Sequence, residues 1–451
     1  MNTTPVLLLN FNRPHLTRQL VNQLRLIKPL FIMASIDGPR SENEKDNNLC
    51  NQVFDELSKI DWKCEIEFIR HLENQGLRKA VKTAIDHFFI KYEKGIILED
   101  DIVFGKDFWE YASFMLAKSE LKDSNIAAIS GNNFVSHQFD LNLESGVLTK
   151  IFHCWGWATW REKWALYSDH VEVDESFTND QLQQYLGDKK AFQFWSGIRQ
   201  ALALNSIQSW AWRFQFSAWK ADQYFLTPPV NLAFNNGFDD DATQTKGHPD
   251  SLKGISVNTL HNDTLILNNF HPEKRPIIDA IENLTILGLL STTSLDIGCG
   301  LTPKNLFNAE VVFGIDIRDG VDLNVVARDL VVETIPFPDN FFDALTAHDF
   351  VEHVPRIIYN PNRRFPFIEL MNEIYRVLKP GGNFLSFTPA YPHAEAFRDP
   401  THVNIITDQT FPVYFDNVNI WGKMYGFKGK FRIVSQEWRG PHLLSILQKE
   451  V

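Results

Sequence analysis

The sequence predicts an α/β protein of two domains, each built on a largely parallel sheet, and three observations support this fold class. Continuous apolar runs alternate with amphipathic helical patterns, which is typical of strands that are buried on both faces. The 451 residues, 44% of them apolar, suffice for two or three domains. Ten of the 12 tryptophans precede residue 220, whereas the chain from about 290 onward uses Val, Ile, Leu and Phe around glycines.

The boundary between the predicted domains falls in a polar stretch, Ala242–Thr264, which contains Gly and Pro and shows no sustained period. Pro276–Leu290 follows, begins with Pro and has helical apolar spacing. We therefore predict an N-terminal domain over 1–255, a linker with a leading helix over 256–290, and a C-terminal domain over 291–451.

Charge and composition argue against several classes of function. The net charge of -12 argues against a nucleic-acid partner, because a phosphate backbone is bound by clustered Lys and Arg. The four cysteines fit neither a zinc knuckle nor a disulfide framework, and we expect them to be reduced. The sequence shows no transmembrane segment and no secretory signal, so we expect a cytoplasmic protein, with peripheral association with the inner face of the membrane as an option.

Acidic residues follow apolar runs of the N-terminal half, at the ends of predicted strands. The run FIMASIDGP reaches Asp37, and GIILEDDIVF places Glu99, Asp100 and Asp101 directly after residues suited to burial. Ligands of parallel sheets bind beyond the carboxyl ends of the strands, and carboxylate oxygens suit Mg²⁺ or Mn²⁺. Taken alone, the acidic triplet is better explained by a helix cap or by pairing with the nearby Lys94 and Lys106.

Seven blocks in order make residues 2–245 resemble bacterial glycosyltransferases of the GT-A fold, of the group akin to N-acetylglucosaminyltransferase I. The blocks are NFNRP, SIDGPR, RHLENQGLRKAV, LEDDIVFGKDF, CWGWATWREKW, SWAWRFQFSAW and PPVNLAFNNGF. The resemblance implies a Rossmann-like mixed sheet, a UDP- or GDP-sugar donor and a glycan or glycolipid acceptor. It also implies a divalent metal, Mn²⁺ or Mg²⁺, at a DxD-type motif.

The resemblance assigns roles to the acidic residues. Asp101 would bind the metal that bridges the nucleotide diphosphate, and Glu99 and Asp100 would address the ribose, the sugar or metal-bound water. Asp37 would meet the base or the ribose. The nucleotide pocket would also be lined by the first block, through Asn12 and Arg13.

Three further residues are candidates for the nucleotide-sugar site. Arg78 is either a cationic contact to the phosphates or a solvated residue at a helix start. Either Trp155 or Trp157 would offer an apolar platform to a sugar ring, although core packing explains most tryptophans.

The base that the resemblance leads us to expect is missing. An inverting transferase needs a carboxylate that takes the proton of the acceptor hydroxyl, and relatives are expected to carry it directly after the first Trp of SWxW. This chain has Ala211 there. Candidate substitutes are acidic residues whose occurrence an ordinary solvated surface explains as well: Asp222, Asp239, Asp240 and Asp241. Donor binding is therefore better supported than transfer.

A glycine-rich turn opens the C-terminal half. The predicted strand in TSLDIGCGLTPKN reaches Asp296 and is followed by Gly298 and Gly300, which would let the backbone approach a cofactor. Pro303 stands where a dinucleotide fingerprint has its third glycine, which disfavours NAD. The next strand, VVFGIDI, carries Asp316 near its end, placed for the hydroxyls of a ribose.

Together with a DL pair, an FD strand start and a VLKPGG turn, these motifs make residues 294–415 resemble class I S-adenosylmethionine-dependent methyltransferases. The resemblance implies S-adenosylmethionine as the cofactor. It places Asp296, Gly298 and Gly300 at the methionine and backbone side and Asp316 at the ribose. The adenine would be flanked by Asp329 and Leu330, and the methyl group would be faced by Asp349 and Phe350.

Methyl transfer to a hydroxyl also asks for a base, and imidazoles suit this role. His402, with Asp399 nearby to orient it, is the first candidate. His393, His353 and His348 are the others, and a structural contact explains the last two at least as well.

The sequence thus predicts a bifunctional enzyme of surface polysaccharide biosynthesis, which joins nucleotide-sugar-dependent glycosyl transfer to O-methylation of a sugar. The alternative is a methyltransferase whose N-terminal domain binds a sugar or nucleotide without catalysis, and Ala211 favours it.

Overall fold

The computed structural model describes residues 3–134, 146–187, 189–237, 257–258, 273–274, 279, 282–283, 292–318 and 324–450. The described residues up to Lys274 form one unit, and those from Asp279 onward form another. Both units are mixed α/β structures with a Rossmann-like sheet, which confirms the predicted fold class. The predicted linker, 256–290, lies almost entirely outside the described residues, so its bounds stay a prediction.

The N-terminal unit contains a nine-stranded mixed sheet with the order β11-β7-β9-β6-β8-β4-β1-β2-β3, and a separate pair, β5 and β10. Strands β3, β2, β1 and β4 run parallel, and β8 runs antiparallel to β4 and β6. The strands are β1 (Val6–Asn10), β2 (Phe31–Ile36), β3 (Glu65–Arg70), β4 (Lys94–Glu99), β5 (Ile102–Phe104), β6 (Ile126–Ser130), β7 (Val147–Thr149), β8 (Trp157–Trp160), β9 (Tyr224–Thr227), β10 (Ala233–Asn235) and β11 (Glu273–Lys274).

The helices of this unit begin where capping chemistry favours a start. Pro14 occupies the first turn of one helix, and the Ser209 hydroxyl accepts a hydrogen bond from the Trp212 amide at the start of another. The described helices are Pro14–Ile27, Glu44–Leu57, Leu77–Lys91, Lys106–Ala117, Ser119–Lys122, Arg161–Trp164, Asn179–Leu186, Lys189–Ala203 and Trp210–Lys220, with a 3-10 turn at Val171–Val173.

Apolar side chains of β1 fill the core on both faces of the sheet. Val6 and Leu8 belong to one buried cluster, and Leu7 and Leu9 belong to the other. Successive side chains of a strand point to opposite faces, so a continuous apolar run is what a strand covered on both sides requires.

The C-terminal unit contains a seven-stranded sheet with the order β14-β13-β12-β15-β16-β18-β17. It is parallel from β14 to β16, and β18 runs antiparallel to both of its neighbours. The strands are β12 (Thr293–Ile297), β13 (Val311–Asp316), β14 (Val325–Ala327), β15 (Phe342–His348), β16 (Leu378–Pro389), β17 (Phe431–Arg439) and β18 (His442–Lys449). The described helices are Pro366–Val377, Glu395–Arg398 and Thr410–Tyr414, with 3-10 turns at Val351–His353 and Trp421–Tyr425.

Strand order reverses at β1 in the first unit and at β12 in the second. In sheets of this type the crevice beyond the carboxyl ends of the strands at such a point is the usual ligand site. Within the described ranges, no helix is both long and apolar enough to cross a membrane.

Candidate functional site

A cavity of about 360 Å³ lies at the carboxyl ends of β1, β2 and β4, where the first sheet reverses its order. Side chains from distant blocks of the sequence line it together. Those among the predicted nucleotide-sugar residues are Asn12, Arg13, Asp37, Glu99, Asp100, Asp101 and Trp155. Parallel strands end at one edge of a sheet, which explains how residues as far apart as Asn12 and Asp101 share one cavity.

Two carboxylates of this cavity share one guanidinium group. Arg13 donates from Nη2 to Asp101 Oδ2 at 3.0 Å and from Nε to Asp100 Oδ2 at 3.3 Å, and it also contacts Asp100 Oδ1. Burial would lower the pKa of Arg13, but Asp100 and Asp101 raise it above its ordinary value. Glu99 has no comparable partner within the described ranges. The cluster therefore carries more negative than positive charge when all its groups are ionised.

Excess negative charge and burial disfavour ionisation of these acids. Burial raises the pKa of Glu99 to about 8, and the nearby Asp101 adds to the shift. Burial also raises the pKa of Asp100 to about 7, although Arg13 opposes this change. A cation brought into the cavity would favour the charged forms of both groups.

One oxygen of the cluster is left over for such a cation. Asp101 Oδ1 is buried and finds no hydrogen-bond partner among the described residues, whereas Oδ2 accepts from Arg13. An unpaired carboxylate oxygen fits Mg²⁺ or Mn²⁺, which readily take one protein carboxylate and complete their shell with water and phosphate oxygens. The residues present therefore fit a divalent metal held through Asp101.

Gly237, from the NNGF turn, packs directly on this cluster. A Cβ at Gly237 would lie 2.3 Å from Asp101 Oδ2 and 2.9 Å from Arg13 Nη1, so only glycine fits. The Asn236 amide donates to the Asp101 backbone carbonyl at 2.9 Å, which fixes the approach. The sequence pattern did not single out Gly237, because the contact joins segments far apart in the chain.

Both carboxylate oxygens of Asp37 accept hydrogen bonds from the protein. Its Oδ1 accepts from the Gly38 and Gln75 amides at 2.8 Å each, and its Oδ2 accepts from Asn74 Nδ2 at 3.0 Å. Asp37 thereby fixes the loop that carries Asn74, which also lines the cavity. Asn74 lies within the quoted block RHLENQGLRKAV but was not predicted as a site residue.

The structure corrects the assignments of Trp157 and Arg78. Trp157 is fully buried in a central strand and stacks on Trp210 with ring centroids 5.6 Å apart, so it is a core residue. Arg78 pairs with Asp169 at 3.5 Å and does not line the cavity. Trp155 precedes the strand and does line the cavity, so it is the one of the two predicted tryptophans that borders it.

Ala211 lies on the cavity wall, in the first turn of helix Trp210–Lys220. The position at which the resemblance expects a carboxylate thus faces the cavity and carries a methyl group. Asp222 follows the other end of this 11-residue helix, about 16 Å away at 1.5 Å per residue, and does not line the cavity. Asp239, Asp240 and Asp241 lie outside the described residues.

In the second unit, predicted cofactor residues lie at the ends of β12 and β13. Asp296 accepts from the Lys304 amide at 2.8 Å and from Thr346 Oγ1 at 2.6 Å, and burial raises its pKa above the ordinary value. Asp316 accepts from the Gly300 amide at 2.9 Å and from Arg318 Nε at 2.8 Å. Burial alone would raise the pKa of Asp316. Hydrogen bonds from the Arg318 side chain and from the Arg318 and Gly300 amides outweigh burial, so the pKa is lowered overall.

The glycine-rich turn between these strands has the left-handed backbone that glycine favours. Gly298 has φ +66°, and a Cβ there would lie 2.4 Å from the ring of Phe350. Gly300 has φ +69°, and a Cβ there would meet no atom closer than 3.6 Å. The open side at Gly300 leaves room for a ligand against the backbone, so this turn fits S-adenosylmethionine.

The remaining predicted cofactor residues occupy turns. Asp329 Oδ1 accepts from the Val331 amide at 3.0 Å, and Leu330 beside it is buried. Asp349 follows β15 with φ +47° and pairs with His442 Nε2 at 2.9 Å. The structure places them at the same edge of the sheet as the glycine-rich turn, and their cofactor contacts stay a prediction.

The predicted base His402 lies beside His353, with ring centroids 4.9 Å apart. Asp399 does not orient the His402 ring as predicted, because its carboxylate accepts from the Thr401 hydroxyl at 2.6 Å, and that hydroxyl contacts His353 Nδ1 at 3.0 Å. His393 packs on Trp438 with centroids 5.0 Å apart.

His348 and Glu352 both precede His353 in the sequence. Burial lowers the pKa of His348. Glu352 is buried next to the pair of histidines, and the sequence analysis missed it because a Glu beside a histidine in AHDFVEH carries no pattern of its own.

Comparisons with known proteins bear on the C-terminal unit. Residues 295–386 match the family described as a methyltransferase domain. The demethylmenaquinone methyltransferase of Symbiobacterium thermophilum is 32% identical over 127 residues, which are 23% of this chain and 45% of that protein. The enzyme of the same name from Listeria monocytogenes serotype 4a is 26% identical over 155 residues, 30% of this chain and 56% of that protein. The chain thus spans about half the length of the curated relatives it matches.

Solved structures of methyltransferases are also similar to this unit. An S-adenosylmethionine-dependent methyltransferase from Aquifex aeolicus is 16% identical, covers 36% of this chain and 82% of its own, and has a TM-score of 0.25. A putative methyltransferase from Bacillus halodurans is 19% identical, and the match covers 38% of this chain and 99% of that chain with a TM-score of 0.24.

The family match and the curated relatives indicate a methyltransferase domain within the C-terminal unit. The match falls within the segment that the sequence motifs had indicated.

Proposed function

We propose that this chain is an S-adenosylmethionine-dependent methyltransferase of sugar hydroxyls, whose N-terminal unit binds a nucleotide sugar or a related glycan precursor. The observation that carries the proposal is the cavity in which an acidic cluster, Arg13 and Trp155 meet while Ala211 occupies the position expected for a base. Such a cavity offers a metal ligand, a cation and an aromatic ring to a ligand, but no carboxylate at that position.

The methyl group would come from S-adenosylmethionine, which supplies an activated methyl on a sulfonium centre. The glycine-rich turn would hold its methionine portion, and Asp316 would bind the ribose. Asp316 is oriented for this by the Gly300 amide and by Arg318. Asp349 and Phe350 directly follow β15 and would border the methyl group.

The N-terminal cavity would bind the diphosphate of the nucleotide. A metal at Asp101 would offset the phosphate charges, and the protein would orient it through Arg13 and Gly237. The Trp155 indole would pack on the sugar ring. A growing glycan that carries this sugar would then be the acceptor, and fusion of the two units would keep acceptor and methyl donor on one chain at high effective concentration.

Glycosyl transfer by the N-terminal unit is the second candidate function, and one observation favours it. Glu99 lines the cavity, and its pKa is raised to about 8, a value at which a carboxyl group can exchange protons near neutral pH. It would therefore substitute for the missing carboxylate at position 211.

Two assays test the proposal and separate the candidates. The first measures S-adenosylhomocysteine formed from S-adenosylmethionine with nucleotide sugars and glycolipid precursors as acceptors. We expect turnover with an acceptor that also binds the N-terminal cavity. In the Asp101→Ala variant, turnover should no longer depend on whether the acceptor binds that cavity. The second measures release of UDP or GDP from the donor. Release that depends on an acceptor and is lost in Glu99→Gln would establish glycosyl transfer, whereas methylation without nucleotide release supports the binding module.

A further inference from the structure

We propose that Glu352, His353 and His402 form a binding site for a divalent transition metal in the methyltransferase unit. Each side chain offers one ligand atom, and these three atoms lie within 4.8 Å of one another. Two imidazole nitrogens and one carboxylate oxygen are the donor set of zinc sites that keep an open coordination position. This site is separate from the acidic cavity and uses none of the residues assigned to S-adenosylmethionine.

Two ligand groups of the site contain buried atoms without partners. Glu352 is 1% exposed, and its Oε2 accepts from Thr388 Oγ1 at 2.7 Å, but Oε1 has no partner among the described residues. The same holds for His402 Nδ1. A buried polar atom left unpaired costs about 1–3 kcal/mol, so two of them side by side point to a ligand that satisfies both.

The protonation of His353 follows from its neighbour. The Thr401 hydroxyl has one proton and donates it to Oδ1 of the Asp399 carboxylate at 2.6 Å. Because that proton is donated to Asp399, the contact of 3.0 Å between Thr401 Oγ1 and His353 requires the imidazole to donate from Nδ1. Nε2 of His353 then keeps its lone pair, as a metal ligand must, and a second shell of this kind is usual for metal-bound histidines.

The two segments that carry the ligands are tied together by their backbones. The amides of Val403 and Asn404 donate to the Glu352 carbonyl at 3.0 and 2.9 Å. Asn404, which is fully buried, donates from Nδ2 to the Val351 carbonyl at 2.9 Å and accepts from Arg356 Nε at 2.7 Å. The three ligands are therefore held in place by the fold, which is what a preorganised metal site needs.

The location suggests what the open position would hold, an inference that rests on the proposed function. The 3-10 turn Val351–His353 begins three residues after the end of β15 and directly after Asp349 and Phe350, the residues assigned to the methyl group. A metal there would take an oxygen of the methyl acceptor as its exchangeable ligand. This would orient an acceptor hydroxyl and give the two histidines a role other than that of a free base.

Metal titration of the full-length protein tests the site without relying on activity. The protein is stripped with EDTA, the chelator is removed, and Zn²⁺ is titrated in competition with a chromophoric chelator; Co²⁺ then reports the ligand set through its visible absorption. We expect one tight site in the wild type. His353→Ala and His402→Ala should each weaken Zn²⁺ binding at least about 100-fold, and Thr401→Val should weaken it about tenfold by removing the second shell.

Controls separate this site from others in the chain. His393→Ala removes a histidine of the same segment that packs on Trp438 and should leave Zn²⁺ affinity unchanged. Circular dichroism and S-adenosylmethionine binding confirm that each variant is folded. A wild type without a site tighter than about 10 µM, or variants of His353 and His402 that keep wild-type affinity, would overturn the proposal. Either result leaves the proposed function standing, which fails instead if S-adenosylmethionine does not bind.

Discussion

Acidic residues end the strands at the switch point of both sheets, but the two units treat them differently. In the N-terminal unit, Asp100 and Asp101 share one arginine next to Glu99, and burial raises the pKa of Glu99 and Asp100. In the C-terminal unit, Asp296 and Asp316 each have their own hydrogen-bond donors. The first cluster has an excess of negative charge that a cation would relieve, whereas the second is satisfied by the protein itself.

This difference indicates which kind of ligand each site suits. A diphosphate with a divalent metal adds positive charge next to the carboxylates and phosphate oxygens next to the metal, as the first cluster requires. S-adenosylmethionine offers ribose hydroxyls and lies against backbone, so it needs oriented acceptors and an open glycine turn. The predictions below alter one of these features at a time.

The largest effect is expected from Gly298→Ala in the C-terminal unit. The added Cβ would lie 2.4 Å from the Phe350 ring and would adopt φ +66°. Overpacking costs about 1–3 kcal/mol and the left-handed backbone about 1–2 kcal/mol, so calorimetry should show S-adenosylmethionine affinity reduced by about 100-fold or more. Gly381→Ala is the matched control, with φ +81° and no atom within 4 Å, and it should lower stability alone.

Replacement of Arg13 by Met should be the most destabilising change in the N-terminal cavity. It leaves Asp100 and Asp101 buried without their shared cation, which costs about 3 kcal/mol of unfolding free energy at pH 8. The loss should shrink at pH 5.5, which lies below the raised pKa of Asp100, because a protonated Asp100 carboxyl no longer needs the cation.

Tryptophan fluorescence reports this unit, because ten of the 12 tryptophans precede residue 220. The control Arg25→Met removes an arginine that pairs with the exposed Asp61 at 3.0 Å and lies in the helix that begins directly after Arg13, and it should change stability little. Equal losses for the two variants would contradict the distinction between the cluster and an ordinary surface pair.

Gly237→Ala should weaken binding of a metal–nucleotide complex about tenfold. Its Cβ would lie 2.3 Å from Asp101 Oδ2 and 2.9 Å from Arg13 Nη1, so the proposed metal ligand must move. Calorimetry with Mn²⁺ and UDP or GDP measures the effect. Gly187→Ala, with a left-handed backbone and no atom within 4 Å, should bind as the wild type does.

A further effect is expected in the pH dependence of stability. The folded-state pKa values of Glu99 and Asp100, about 8 and about 7, lie above those of the unfolded chain. At pH values between the unfolded-state and folded-state pKa of each group, the folded protein therefore binds more protons than the unfolded chain. The unfolding free energy of the N-terminal unit should therefore fall as the pH rises from about 4 to about 8. Glu99→Gln should flatten this slope, and Glu110→Gln, a change at an exposed helix residue, should keep it.

Sequence patterns predicted the fold class and the residues that end buried strands, because both depend on local apolar periodicity. They also predicted much of the cavity, since Asp37 and the acidic triplet directly follow strands of one parallel sheet. They did not predict Gly237, Asn74 or Glu352, whose roles come from contacts between distant segments.

The tryptophan assignment shows the same limit. Trp155 and Trp157 are two residues apart in one block, yet Trp155 lines the cavity while Trp157 is fully buried in β8. The sequence carries no signal for where β8 begins, and that boundary decides which indole is accessible.

Calorimetric titration of UDP and GDP into the full-length protein, with and without Mn²⁺, tests the central claim most directly when wild type and Asp101→Ala are compared. We expect the wild type to bind one nucleotide more tightly when Mn²⁺ is present. In Asp101→Ala, the nucleotide affinity should no longer depend on Mn²⁺. A protein that binds S-adenosylmethionine but neither nucleotide, with or without Mn²⁺, would contradict it and leave the acidic cavity without the ligand proposed for it.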